Sequence, residues 1–133
     1  MTGCYHELTP AGERRLQLLR DPRSAGKARR FVERQLRRRR LPTQVVQIAL
    51  LVSSELVTNA YRHGEGEIEL RLSVHEDRVR IEVIDDGQRQ APAVRERASD
   101  ETGGWGLQIV DQLALQWGVL EGTTHVWADL ALD

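Results

Sequence analysis

Glu55 and Asn59 stand four residues apart in the stretch Ser54-Glu55-Leu56-Val57-Thr58-Asn59. On a helix that spacing puts both on one face, about 6 Å apart along the axis. A neutral amide oxygen can ligate Mg²⁺ beside phosphates without repelling them, and a carboxylate one turn earlier can take a proton or hold a water. Asn is a poor helix former, so its place on a face flanked by Leu56 and Ala60 asks for a reason. A plain pair of polar surface residues would give the same spacing. The second group is Val83-Ile84-Asp85-Asp86-Gly87. A carboxylate ending an apolar strand can accept a hydrogen bond from an exocyclic amine such as that of adenine, and Gly87 lets the backbone approach a flat ring. An ordinary Asp-Gly turn is the other reading. The third group, Gly103-Gly104-Trp105-Gly106-Leu107, leads into a helix, and unhindered N–H groups there suit an anion such as a triphosphate. A hinge before a helix start remains open as an alternative. It is not a P-loop, because no Gly-Lys-Ser/Thr follows.

The elements that must position these groups can be read from periodicity. Residues 1–13 hold Pro10 and Gly12 and read as a loosely held leader, with one domain over residues 14–133. Arg15 to Leu19 is a short candidate strand. Asp21 as N-cap and Pro22 at the first helical position open a helix with the apolar stripe Ala28, Phe31, Val32, Gln35 and Leu36. Pro42 interrupts, Thr43 offers a second cap, and a stronger helix runs to about Tyr61 with Val45, Ile48, Ala49, Val52, Leu56 and Ala60 on one side. Gly64 is placed as its C-terminal cap. The period then changes to two: Ile68, Leu70, Leu72 and Val74, then Val79, Ile81 and Val83, predict an antiparallel hairpin turning at Glu76-Asp77. Periodicity stops over residues 86–105, and a loop of that length in a small domain points to function. A helix from about Gly106 to Leu115 and strands near Trp117–Leu120 and Thr124–Leu132 complete the chain. The predicted fold is α+β, a two-layer sandwich with a mixed sheet covered on one face by helices.

Composition excludes several classes. At 133 residues with 40% hydrophobic and 29% charged residues, the chain reads as one ordinary globular domain. A single cysteine, Cys4, excludes an internal disulfide framework and a cysteine-based zinc site. No apolar run reaches the length of a membrane span and no signal-peptide core opens the chain, so a cytoplasmic protein without membrane contact is expected. Nineteen basic against 20 acidic residues leave a net charge of −1, so no direct nucleic-acid binding is expected. The run Arg37-Arg38-Arg39-Arg40 is a local exception. A nucleic-acid or membrane patch is one reading, and cations at a helix C-terminus, which favours them, is the preferred one.

Taken in order, Glu55-Leu56-Val57-Thr58-Asn59-Ala60-Tyr61-Arg62-His63-Gly64, Asp85-Asp86-Gly87 and Gly104-Trp105-Gly106-Leu107 resemble the N, G1 and G2 boxes of the GHKL ATPases. Within that superfamily the short chain resembles the stand-alone anti-sigma-factor serine/threonine kinases, and Trp117-Gly118-Val119 with Val126-Trp127-Ala128-Asp129-Leu130 is similar to their ending. The resemblance runs from about Arg15 to the C-terminus. It implies a Bergerat ATP-binding fold with ATP and Mg²⁺ as cofactors. By the same resemblance Asn59 would ligate Mg²⁺ and Glu55 would be the catalytic carboxylate. Asp85 would meet the adenine amine, Gly87 would line the base pocket, and Gly104, Gly106 and Leu107 would form the phosphate side. A lid would span roughly residues 88–103. A sigma factor and a phosphorylatable antagonist protein are the implied partners, and a homodimer is the implied assembly.

The chain departs from the family pattern at three places. Arg89 replaces the first-box glycine, Trp105 replaces an Arg between the second-box glycines, and His125 occupies a Thr slot, with Thr123 on the same strand face. His125 reads as a pocket-edge or core residue rather than a base, and His63 as a structural residue at the helix end. Two functions follow. One is a protein kinase that uses Glu55 to accept the proton of a serine or threonine. The other is an ATP-gated binding module that sequesters a partner with little turnover, which Arg89 and Trp105 favour and Glu55 opposes. A histidine-kinase fragment is a distant third, because no phosphoacceptor hairpin precedes the boxes.

Overall fold

A computed structural model of the chain describes residues 12–87, 107–120 and 124–132. At its centre lies the expected hairpin, a strand Ile68–Val74 (β2) paired antiparallel with Arg78–Asp85 (β3). The register runs from Ile68 opposite Asp85 to Val74 opposite Val79. Alternation of side chains along a strand puts Leu70, Leu72, Ile81 and Val83 into the core and Arg71, Arg80 and Glu82 on the other face. Arg14–Leu18 (β1) pairs with the free side of β2.

Beyond β3 the chain returns through a short helix, Leu107–Leu113, a strand Gln116–Val119 (β4) and a strand Val126–Ala131 (β5). The order across the sheet is β1-β2-β3-β5-β4. Every neighbouring pair is antiparallel, which corrects the expected mixed sheet. The cause is topological. β4 runs in the same direction as β3, as a strand–helix–strand crossover requires, but β5 folds back and inserts between them. The parallel pair therefore never shares a hydrogen bond.

Among the described residues three helices cover one face: Ser24–Arg38 (α1), Thr43–His63 (α2) and Leu107–Leu113 (α3). α2 is the middle one, packed on α1, α3, β2, β3 and β5. Neighbours on several sides explain why Val46, Ser53, Val57 and Asn59 are buried beyond the expected stripe, while Ile48 is only half-buried. Both expected caps move. α1 starts at Ser24, because Asp21-Pro22 forms a turn instead: Asp21 Oδ1 accepts the N–H of Arg23 at 2.6 Å and its carbonyl that of Ser24 at 3.0 Å. α2 has Pro42 at its N-cap, not Thr43, with φ −58° and an extended ψ of 145°; the Pro42 carbonyl accepts from Val46 at 3.1 Å. α3 stops before Leu115, whose N–H is bonded to Asp129 O at 2.7 Å. Of the expected leader only Gly12 and Glu13 fall within the described residues. No described helix is long and apolar enough to cross a membrane.

Candidate functional site

Asp85 ends β3 on its core-facing side and is 8% exposed. Such a carboxylate must be hydrogen-bonded to be tolerated. Its Oδ1 accepts three bonds, from the N–H of Gly87 at 2.6 Å, the hydroxyl of Thr124 at 2.6 Å and the N–H of Glu65 at 3.4 Å. No described residue donates to Oδ2. One oxygen thus fixes the side chain and the other is left to accept from something else. Glycine is needed on both sides of this group. A Cβ at Gly64 would overlap Asp85 Oδ2 and stand 2.8 Å from Ala60 O. One at Gly87 would stand 2.9 Å from Oδ1 and 3.2 Å from Thr124 Cγ2.

Asn59 lies in the last two turns of α2 and is 8% exposed, with no described residue hydrogen-bonded to its amide. Glu55, one turn earlier on the same face, is half-buried. The helix end is tied to the strand end in two ways. Gly64 N–H caps onto Ala60 O at 2.9 Å, and Asp86 N–H donates to Glu65 O at 2.8 Å. Gly64 does cap α2 as expected, but in an extended conformation, φ −97°. Its glycine is required by the approach of Asp85, not by a left-handed backbone. Arg20, just after β1, holds the same corner: its Nη2 donates to Tyr61 O at 2.7 Å and Gly64 O at 2.5 Å, and its Nη1 to Gly66 O at 3.4 Å.

Tertiary structure therefore gathers Asp85, Gly87 and the C-terminal end of the Asn59 helix at one end of the sheet. Leu107 is buried as the first residue of α3. Gly104, Gly106 and the expected lid, residues 88–103, lie outside the described residues. Among the described residues no three His, Cys, Asp or Glu side chains form a metal cluster.

His125 is neither in the core nor at the Asp85 pocket. Its Nε2 is 3.4 Å from Glu82 Oε1 on the face away from the helices, where strand alternation places it. That contact holds the Glu82 carboxyl below its usual range, with burial working the other way and Arg71 and Arg80 adding to the lowering. Sequence reasoning missed Thr124 and Arg20. Thr123 and His125 drew attention as the family's Thr slot, and the hydroxyl that reaches Asp85 belongs to the residue between them. Its signal was present, a Thr pair just before an apolar strand, but its phase was not. Arg20 carried no signal, since backbone carbonyls are its partners.

Residues 18–128 match the family described as Histidine kinase-like ATPase domain. No curated protein matches the chain. Among solved structures it is similar to the RsbU and RsbW domains of Rv1364c from Mycobacterium tuberculosis, with a TM-score of 0.67 and 21% identity. That likeness covers 92% of this chain and 31% of the other, so the chain spans about a third of its neighbour. The family match runs over most of the length and the fold agrees with it: the chain belongs to the histidine kinase-like ATPase domain family.

Proposed function

We propose that the chain binds ATP with Mg²⁺ and is a serine/threonine-protein kinase acting as an anti-sigma factor, which phosphorylates a protein antagonist in the cytoplasm. The observation that carries nucleotide binding is Asp85, with Oδ1 held by three donors and Oδ2 open beside Gly64. An acceptor held in this way suits the amine of adenine. Guanine has a carbonyl at that position and would repel it. The residues fit the metal too, since Asn59 is 8% exposed and its amide, which keeps contact with solvent, has no hydrogen-bond partner among the described residues. Mg²⁺, when bound, supplies charge neutralisation at the phosphates. Glu55, on the same face of α2, accepts the proton of the attacking hydroxyl as its oxygen bonds to the γ-phosphorus and ADP departs. Phosphoryl transfer asks mainly for positioning and charge compensation, so this small set of groups suffices. Likeness to a chain carrying an RsbW domain supports the regulatory role.

The test is incubation with radiolabelled ATP, Mg²⁺ and candidate antagonist proteins. Label is expected on a serine or threonine of one antagonist. Glu55→Gln should cut transfer by at least about a hundredfold, the low end for loss of a general base, with ATP affinity within a few-fold. A wild type that transfers nothing yet holds a sigma factor only with ATP present would replace this reading with the gated binder.

A further inference from the structure

At the other end of the sheet from Asp85, a cavity of about 220 Å³ opens between the end of α1 and the β1–β2 edge. Arg14 of β1 and Arg38 and Arg39 at the end of α1 line it, with Gln35 beside them and Leu36, Leu72 and Val74 beneath. No described carboxylate pairs with any of these three arginines, whereas Arg37 next to them is held by Glu33 at 3.0 Å. Nor are they occupied in closing the helix. The backbone closes α1 by itself: Arg40, at φ 58°, turns the chain so that its N–H reaches Arg37 O at 2.9 Å and the Leu41 N–H reaches Leu36 O at 3.3 Å. This is the pairing of a Schellman motif, with an arginine where glycine is usual. The helix dipole offers only about half a negative charge there, against three guanidinium groups.

The surrounding field has the same sign. Residues 24–40 hold eight cations and one carboxylate, a net charge of +7, which leaves −8 for the rest of a chain whose total is −1. A diffuse polyanion drawn to α1 would meet a remainder of the chain that is net negative overall, so a small anion fits this distribution better than an extended one. Three forked donors around one cavity exceed what the two oxygens of a carboxylate can accept, and match a phosphate. The volume is room for about seven waters at ~30 Å³ each, more than a phosphate's five heavy atoms need. The apolar side of the cavity could then take a short organic body.

We propose that the Arg14–Arg38–Arg39 cavity is a second anion site, separate from the nucleotide site, which binds the phosphate group of a small phosphomonoester. Leu72 pairs with Ile81, four residues before Asp85, which puts the cavity about 13 Å or more along the sheet from that carboxylate. The site depends on neither ATP binding nor kinase activity.

The test is an NMR titration of the full chain at constant ionic strength with inorganic phosphate, phosphoserine and chloride. Its readouts are the Gln35 side-chain amide and the arginine Nε–H signals. Saturable shifts at Gln35 are expected with phosphate and phosphoserine and not with chloride. Tighter binding of phosphoserine would mark the ester as the ligand, and equal binding would mark free phosphate as sufficient. Arg39→Gln should weaken binding at least about fivefold, and Arg14→Gln with Arg39→Gln should abolish saturation. Arg30→Gln, on the same helix but away from the cavity, should change nothing, with thermal melts confirming that all variants fold. Equal loss in Arg30→Gln, equal shifts with chloride, or shifts confined to residues around Asn59 and Gly64 would each overturn the site.

Discussion

Asp85 shows how one side chain can be both structural and available. Three donors on Oδ1 fix its rotamer, so the open Oδ2 is pre-positioned and a ligand need not order it. Losing one partner of such a bond costs about 1–3 kcal/mol, or roughly one to two decades in affinity. Asp85→Asn is expected to weaken ATP binding by that amount, and the wild type to bind GTP poorly. Calorimetry giving equal affinities for ATP and GTP would refute the assignment. Asn59 makes a different prediction because its proposed partner is the metal. Asn59→Ala should lower affinity for Mg·ATP while leaving metal-free nucleotide binding little changed. If both fall equally when a chelator is present, Asn59 is a packing residue.

At the level of elements, the corner between β1, α2 and β3 holds the site together, and Gly64 is its tightest point. Gly64→Ala forces a methyl group into Asp85 Oδ2 and against Ala60 O, both on elements that cannot easily retreat. Overpacking of this kind costs about 1–3 kcal/mol. The variant should therefore melt earlier and bind ATP more weakly, in parallel. Arg20 acts on the same corner through three carbonyls and lies 5.9 Å from the Tyr61 ring. Arg20→Met keeps the aliphatic stem but removes the donors. Stability should fall by about 1–3 kcal/mol in urea unfolding, as for hydrogen bonds from a charged group. A variant as stable as the wild type would show that the corner is held by packing alone.

Across the whole molecule, the sheet face away from the helices is held by charge. Asp129 is completely buried there, bonded by Arg80 at 2.7 and 2.9 Å and by Gln116 at 2.9 Å, and Arg80 also stacks 4.5 Å from the Trp127 ring. Burial alone would raise the Asp129 carboxyl, but the bonds from Arg80 and Gln116 and the charges of Arg80 and Arg78 outweigh it and lower it. Glu82 is lowered as well. Carboxyls lowered in the folded state stabilise it fully above their ordinary range, and that contribution is lost as pH falls through that range to the folded values. Wild-type stability in urea should therefore decline below about pH 5. Asp129→Asn, which removes the negative charge between Arg80 and Arg78, should cost about 1–3 kcal/mol at pH 7 and flatten the acid slope. An unchanged slope would mean that other carboxylates govern acid unfolding.

The hairpin of β2 and β3 and the amphipathic α1 and α2 were legible in the residue order, and so were the motif groups that hold Asn59 and Asp85. Each rests on local periodicity, or on spacings within one helical turn or one strand end. Asp85 and Asn59 were singled out because an Asp after an apolar strand and an Asn in an apolar helix are locally out of place. The all-antiparallel sheet was not legible, since nothing in the sequence says that β5 inserts between β3 and β4. Helix starts moved because Asp21 and Pro42 could each serve a cap or a turn, and packing chose between them. Thr124, Arg20 and the demand for glycine at 64 depend on approaches between residues 20 to 46 positions apart in the chain. Periodicity describes what one segment does with its own neighbours, whereas a hydroxyl on a distant carboxylate, or the space a methyl group would need, exists only after the segments have met.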